Sequence, residues 1–95
     1  KSLALELAPA GVRVNQVMPG ATATERMVNI AAAKAARNGT TVEEENAKVV
    51  AGIPLGRWAQ AHEIADGVAF LASPRSAFTT GHSLSIDGGA VRSTT

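Results

Sequence analysis

Two short strand patterns, far apart in the chain, constrain its fold more than any other feature. The first is a β-branched run over residues 12–17, and the second is an alternation of Leu84 and Ile86 with small polar residues over 82–87. The segment between them carries helical periodicity and no hairpin signal. A strand, a helical crossover and a strand predict a parallel pair in an α/β sheet with a right-handed connection. Because parallel strands are buried on both faces, this pair requires further strands.

Helical patterns account for most of the remaining chain. They cover residues 1–8, 23–38, about 41–50 and 61–72. At the start of the third pattern, Thr41 and Glu44 match a capping box, in which each side chain accepts a hydrogen bond from the backbone of the other residue. In the fourth, Ile64, Val68 and Leu71 recur at i, i+4 and i+7, which is the clearest amphipathic pattern in the sequence.

Composition and charge exclude several classes of partner. Nine Lys and Arg residues against eight Asp and Glu residues give a formal charge of +1, so we expect no nucleic-acid or membrane partner. The longest apolar stretch, residues 31–36, is interrupted by Lys34 and is far shorter than the ~20 residues of a membrane helix. The absence of cysteine excludes disulfides and thiolate metal sites and fits a reducing compartment, and the two histidines, His62 and His82, are isolated. We therefore expect a cytoplasmic protein without a metal site.

The stock of large apolar side chains is small. Alanine accounts for 19 of the 43 apolar residues. A core built from the remaining 24 is thin for a domain that has no disulfide to stabilise it. The first residue is Lys1 rather than methionine, which also favours a piece of a longer polypeptide.

Five groups of residues occur in the order and spacing of one enzyme family. They are residues 1–8 with Gly11-Val-Arg-Val-Asn, Pro19-Gly20 with Thr24 and Met27, Ile53-Pro-Leu-Gly-Arg, Glu63-Ile-Ala with Phe70-Leu-Ala-Ser, and Gly81 through Asp87-Gly-Gly. With them, the chain resembles the C-terminal part of the classical short-chain dehydrogenases/reductases, NAD(P)-dependent oxidoreductases on a doubly wound Rossmann fold. The nearest branch includes 3-oxoacyl-[acyl-carrier-protein] reductases and sugar or steroid alcohol dehydrogenases. The resemblance implies that residues 1–95 are one segment of a single NAD(P)-binding domain.

The resemblance also implies a reaction, but the family's catalytic residues would lie outside this chain. Hydride would pass between the nicotinamide of NAD or NADP and a carbonyl or secondary alcohol carbon of a small-molecule substrate. The family's catalytic Tyr-x-x-x-Lys pair would lie about three helical turns before Lys1. The chain contains no tyrosine, so none of its residues is expected to be catalytic. The alternative is a non-catalytic binding or oligomerisation module on the same scaffold.

A cofactor site is predicted at the end of the first strand. Pro19 and Gly20 follow that strand, and open α/β sheets bind ligands at the carboxyl ends of their strands. A glycine without Cβ would let the backbone approach a flat ring. The resemblance places the backbone of Thr22 on the nicotinamide carboxamide. It places Thr24 at the start of the next helix, where a hydroxyl and free N–H groups suit a carboxamide or phosphate oxygen, and where Thr24 can also act as N-cap.

The resemblance implies a substrate lid over residues 23–52. The alternative is a pair of ordinary surface helices, and whether the apolar residues of the first helix line a pocket is left open; they are Met27, Val28 and Ile30. Residues 43–45, all glutamate, are expected to form a solvated helix start. Trp58 is expected to pack near the lid.

Other positions are expected to serve structure and assembly. Asn15 is expected to hydrogen-bond backbone rather than to act in catalysis. The resemblance implies that the edge strand 82–87 lies near a subunit contact, and an open edge there could be covered by a second copy in a homotetramer or a homodimer.

Overall fold

The computed structural model describes residues 1–90, so the last five residues of the predicted segment 1–95 lie outside the described part. The elements are α1 (Ser2–Leu7), β1 (Gln16–Pro19), α2 (Glu25–Asn38), α3 (Val42–Ala51), α4 (Ala61–Ala72) and β2 (Ser83–Ile86), with single 3-10 turns at Ala8–Ala10 and Pro74–Ser76. No helix within residues 1–90 is both long and apolar enough to cross a membrane.

The two strands form a parallel pair, which confirms the predicted α/β sheet. Their register places Gln16 beside Ser83 and Pro19 beside Ile86. Gln16 donates its N–H to the carbonyl of His82 at 2.9 Å, which begins the ladder. Three helices, α2, α3 and α4, lie between the strands along the chain, as the crossover pattern predicts.

The first strand starts later than predicted, at Gln16 rather than at residue 12. The preceding residues are hydrogen-bonded to a loop instead of a strand. The N–H of Val14 donates to the hydroxyl of Thr80 at 3.1 Å, and Asn15 donates its side-chain amide to the carbonyl of Thr79 and accepts from the N–H of His82. The β-branched run therefore gives extended backbone but only a short ladder, and Asn15 bonds backbone as expected.

The helix starts follow the local sequence. Glu44 donates its N–H to the hydroxyl of Thr41 at 3.1 Å and accepts from the N–H of Thr41, which is the predicted capping box. α4 covers the range predicted from its amphipathic pattern, and the carboxylate of Glu63 accepts from the N–H of Gln60 at 2.8 Å. These bonds satisfy backbone donors that the first turns of α3 and α4 leave without a helical partner.

α4 covers one face of the sheet. A Cβ at Gly67 would overlap the terminal methyl group of Ile86, so a larger residue at position 67 would require this side chain to move. Arg13, which the sequence did not single out, donates from its guanidinium to the carbonyls of Leu71 and Ser73 at 2.9 and 3.2 Å and to the hydroxyl of Ser76 at 3.0 Å. The C-terminal carbonyls of α4 are thereby bound to the segment that enters β1.

The apolar residues enclose little volume. The buried apolar residues are Ala4, Ala31, Ala35, Ile53 and Leu71. Larger apolar side chains lie exposed, namely Leu3, Leu5, Val12, Met18, Val28, Leu55, Val68, Phe70 and Phe78. The radius of gyration is 16.9 Å, whereas a compact domain of this length would have about 12 Å. Much of the apolar surface of the chain is therefore presented outward.

Candidate cofactor site

The chain leaves β1 through a tight approach to the other strand. Gly20 donates its N–H to the carbonyl of Ile86 at 2.9 Å. A Cβ at Gly20 would lie 2.7 Å from Cα and 2.9 Å from Cβ of Asp87, closer than real Cβ contacts allow. The glycine is therefore explained by the neighbouring strand. The other reason expected from the sequence, close approach of a flat ring to this backbone, stays a prediction.

Pro19 causes no loss in the strand ladder. It is the last residue of β1 and lies beside Ile86. In a parallel sheet, every second residue of a strand directs its N–H to the same neighbouring strand. In β1, the N–H groups of Gln16 and Gly20 both point to β2. The N–H that proline lacks would therefore point to the opposite edge of β1.

The backbone of Thr22 is oriented by a second segment of chain. Thr22 forms an isolated parallel bridge with Ala59, in which Ala23 donates to the carbonyl of Ala59 at 2.8 Å and Ala59 donates to the carbonyl of Ala21 at 2.9 Å. Ala59 uses its own N–H and C=O in this bridge, whereas the other segment uses those of Ala21 and Ala23, so the N–H and C=O of Thr22 point away from Ala59. One donor and one acceptor therefore lie side by side, which is the complement of a primary carboxamide.

The hydroxyl groups of the two threonines have different surroundings. Thr22 donates its hydroxyl to the carbonyl of Gly20 at 3.0 Å, which fixes its side chain within the bend. Thr24 is exposed and is the N-cap of α2, where its hydroxyl oxygen accepts from the N–H of Met27 at 3.4 Å. The hydroxyl proton of Thr24 can still be donated to another group. Thr24 and the first turn of α2 thus present donors next to the backbone of Thr22.

An ion pair holds the segment that orients Thr22. The guanidinium of Arg57 binds both carboxylate oxygens of Glu63, at 2.7 and 2.8 Å, and also donates to the carbonyl of Trp58 at 3.0 Å. The hydrogen bond from Arg57, followed by that from the N–H of Gln60, lowers the pKa of Glu63 to about 2, and the same pair raises the pKa of Arg57. Both residues were noticed in separate sequence motifs, but their pairing was not predicted. It fixes the backbone on both sides of Ala59.

Two clefts lie beside the helical hairpin formed by α2 and α3. The outer cleft is lined by Ala23, Thr24, Val28, Asn46 and Trp58. The inner cleft, between the two helices, is lined by Met27, Ile30, Ala31, Lys34, Glu45, Asn46, Val49 and Trp58. Trp58 borders both clefts and therefore packs beside the hairpin, as expected. Of the three apolar residues considered in α2, only Val28 borders the same cleft as Thr24.

One glutamate differs from the expectation of a solvated helix start. Glu43 is exposed and Glu44 completes the capping box, but Glu45 is 5% exposed. Periodicity explains the difference, because Glu45 is on the face of α3 that meets α2. Within residues 1–90 no group of His, Cys, Asp and Glu side chains could hold a metal ion.

Comparison with known proteins identifies the family. The family model described as "Enoyl-(Acyl carrier protein) reductase" matches residues 1–91. The chain belongs to the short-chain dehydrogenase/reductase family. This confirms the resemblance seen in the sequence. The solved structure of a short-chain dehydrogenase family protein from Francisella tularensis has the same fold, with a TM-score of 0.90. It is 42% identical and covers 95% of this chain and 37% of its own.

Two relatives from Bacillus subtilis show how much of a short-chain dehydrogenase the chain represents. The uncharacterized oxidoreductase YmfI is 44% identical over 94% of this chain and 32% of its own length. The NADPH-dependent reductase BacG is 33% identical over 98% of this chain and 36% of its own length. The chain therefore spans about a third of the length of these relatives.

Proposed function

We propose that this chain is the C-terminal segment of an NAD(P)-dependent oxidoreductase and forms the wall against which the nicotinamide ring lies. The observation that carries the proposal is the orientation of Thr22, whose backbone N–H and C=O point together away from Ala59. The carboxamide of nicotinamide offers the matching acceptor and donor. A relative of this chain is named as an NADPH-dependent reductase, which supports the same cofactor class.

Each site residue has a separate part in this proposal. The C=O and N–H of Thr22 hold the carboxamide and so set the rotation of the ring. Thr24 donates its hydroxyl to the carboxamide or to a phosphate oxygen. Pro19 and Gly20 bring the backbone out of β1 at the carboxyl edge of the sheet, where α/β folds bind ligands.

When bound, the cofactor supplies or accepts a hydride at its nicotinamide ring, and the substrate is a small carbonyl compound or secondary alcohol. The residues 23–52 form the substrate lid, with the outer cleft facing the reacting groups. The family resemblance implies that the general acid and base belong to a Tyr-x-x-x-Lys pair, which residues 1–95 do not contain because they have no tyrosine. The contribution of this chain is to orient the ring and to limit the approach of water.

The proposal extends to assembly and location, for which charge, composition and an open sheet edge give support. The +1 formal charge gives no attraction for nucleic acid, and the absence of cysteine suits the cytoplasm. The edge of β2 that does not pair with β1 can be covered by a second copy in a homodimer or homotetramer.

Cofactor analogues test the proposal without altering the protein. In the full-length polypeptide, we expect 3-acetylpyridine adenine dinucleotide phosphate, which lacks the amide donor, to bind about tenfold more weakly than NADP because the carbonyl of Thr22 loses its partner. Thr22→Val is the matched variant, and it should bind NADP as the wild type does because the backbone is retained. Equal affinity for both cofactors would contradict the proposal, as would full-length protein that binds NADP but transfers no hydride.

A further inference from the structure

Glu45 is the most buried charged residue of the described chain, and it links three parts of the helical hairpin. Its carboxylate accepts from the side-chain amide of Asn38 at the end of α2, at 3.2 Å, and from the hydroxyl of Thr40 in the connecting turn, at 2.8 Å. It also accepts from the ammonium group of Lys48, one turn further along α3, at 3.0 Å. All of its partners lie within the hairpin.

The hairpin has few other restraints. α2 and α3 pack against each other, and within residues 1–90 neither packs against α1, α4 or the two strands. Backbone bonds hold its two ends, with Ala23 bonded to Ala59 at the start and Leu55 bonded to Gly88 just after the end. The relative position of α2 and α3 therefore depends on contacts inside the hairpin and on Trp58 beside it, and the buried carboxylate provides directional hydrogen bonds inside the hairpin.

Glu45 is next in sequence to a residue that lines the proposed substrate cleft. Glu45 borders the inner cleft, and the adjacent residue Asn46 borders both the inner and the outer cleft. Val28 of α2 lines the outer cleft together with Asn46 of α3. A rotation or shift of α3 against α2 would therefore change the distance between these two walls.

We propose that Glu45 is a positioning residue that fixes α3 against α2 and thereby sets the shape of the outer cleft. This inference rests on the proposed function, because it treats the outer cleft as the place where substrate lies against the lid. Glu45 itself reaches only residues of the hairpin, so its effect on substrate passes through Asn46 and Val28.

The charge state of the carboxylate agrees with this role. The hydrogen bonds from Lys48 and Thr40 lower the pKa of Glu45, so it is ionised at neutral pH and can accept from all three donors. The charged groups facing it are Lys48 of α3 and Lys34 of α2, which also borders the inner cleft. The position therefore requires an acceptor and not merely a side chain of similar volume.

The test uses full-length protein with Glu45→Leu, Glu45→Gln and, as matched controls in the same turn of α3, Glu43→Leu and Glu43→Gln. With NADPH and ethyl acetoacetate, Glu45→Leu should raise the KM for the ketone about five- to tenfold. Asn38, Thr40 and Lys48 then lose the carboxylate that accepts their hydrogen bonds, so α3 is no longer fixed against α2 and the outer cleft changes shape. The kcat and the Kd for NADPH should stay within about twofold of the wild type, because residues 19–24 are unchanged. Glu45→Gln should be intermediate, since its amide oxygen still accepts and the amide of Asn38 can rotate to match.

Hydrogen exchange of the same proteins separates this inference from the proposed function. In Glu45→Leu, amides of both α2 and α3 should exchange faster while those of α4 do not change, whether or not ethyl acetoacetate is reduced. Thr40→Val, which removes one donor, repeats the test if Glu45→Leu does not fold. Exchange in the Glu45 variants equal to that in the Glu43 controls would overturn the inference, as would a parallel change in KM, kcat and NADPH affinity. Wild-type protein that binds neither NADPH nor NADH would instead contradict the proposed function.

Discussion

Between Gly20 and Asp87 there is room for a hydrogen atom but not for a methyl group. A Cβ at residue 20 would lie 2.7 Å from the backbone of Asp87, whereas one at Gly52 would have its nearest neighbour at 3.5 Å. Both residues lie near turns, and neither has a positive φ. The two glycines therefore differ in the space available for a Cβ and not in the sign of φ. Gly52 can serve as the control for a substitution of Gly20.

Gly20→Ala should destabilise the full-length protein by about 1–3 kcal/mol, because the ends of β1 and β2 must separate to admit the methyl group. Gly52→Ala should be neutral or stabilising by up to about 1 kcal/mol, since alanine fits there and restricts the unfolded chain. Urea unfolding of both variants measures the difference. Similar stabilities would show that the approach of Gly20 to Asp87 is not a real constraint.

Thr24 combines a structural role with a proposed binding role, and two substitutions separate them. Thr24→Ala should lower stability by about 1 kcal/mol through loss of the N-cap of α2, and should weaken NADPH binding about tenfold through loss of the hydroxyl donor. Thr24→Ser keeps the hydroxyl and should behave as the wild type in both measurements. If Thr24→Ala loses stability but binds NADPH normally, the residue is only a cap. Fluorescence titration with NADPH and thermal unfolding give the two values.

At the scale of elements, the ion pair between Arg57 and Glu63 connects the start of α4 to the cofactor site. Glu63 caps α4 through Gln60, while Arg57 holds the carbonyl of Trp58 next to the bridge between Thr22 and Ala59. The carboxylate of Glu63 binds both the N–H of Gln60 and the guanidinium of Arg57. Its protonation should therefore weaken the start of α4 and the position of Arg57 together. The two side chains are partly exposed, so salt should weaken the pair as well.

The low pKa of Glu63 gives this pair a defined pH dependence. The pKa falls from an ordinary 4.5 to about 2 in the folded protein, so the carboxylate stabilises the fold above pH 4.5 and loses that contribution as pH falls towards 2. Glu63→Gln should therefore have a lower Tm than the wild type at neutral pH, and the difference should shrink between pH 4.5 and 2. Glu43→Gln is the control and should show no such trend. A Tm difference that is constant down to pH 2 would contradict the assignment.

Local patterns in the sequence predicted the elements that local forces determine. The capping box of Thr41 and Glu44 and the range of α4 follow from residues within one or two turns. The start of β1 could not be predicted this way, because Val14 and Asn15 bond to residues more than sixty positions away. The contact of Arg13 with Leu71 at the end of α4 was not predicted for the same reason, because the two residues are 58 positions apart.

The candidate site was located by its motif but not explained by it. Pro19, Gly20, Thr22 and Thr24 were selected from the order of residues and from a family resemblance. The direction in which the backbone of Thr22 points depends on Ala59, and the need for glycine at position 20 depends on Asp87. Both partners are brought there by the fold of residues that follow the lid.

For the whole molecule, exposed surface is the informative quantity. The accessible area is 6827 Å² for 9.7 kDa, about a third more than the ~5,100 Å² of a compact protein of that mass. Phe78 is 105% exposed, and Leu5 and Val12 are 66% and 45% exposed. The odd-numbered residues of β1 direct their backbone groups to an edge that no described strand covers. These surfaces require another layer of protein.

The isolated chain of residues 1–95 should therefore not fold as a stable monomer. A two-stranded parallel sheet with one covered face lacks the burial that balances the loss of chain entropy, and its open edge and exposed aromatic ring favour association. Circular dichroism should show partial helix without a cooperative thermal transition, and sedimentation should show aggregates. The full-length polypeptide, measured in parallel, should unfold cooperatively because its remaining strands and helices cover these surfaces. A monomeric 95-residue chain with a sharp transition would show that the exposed surface is compatible with independent folding, and the assignment of Phe78 and the edge of β1 to internal contacts would then be wrong.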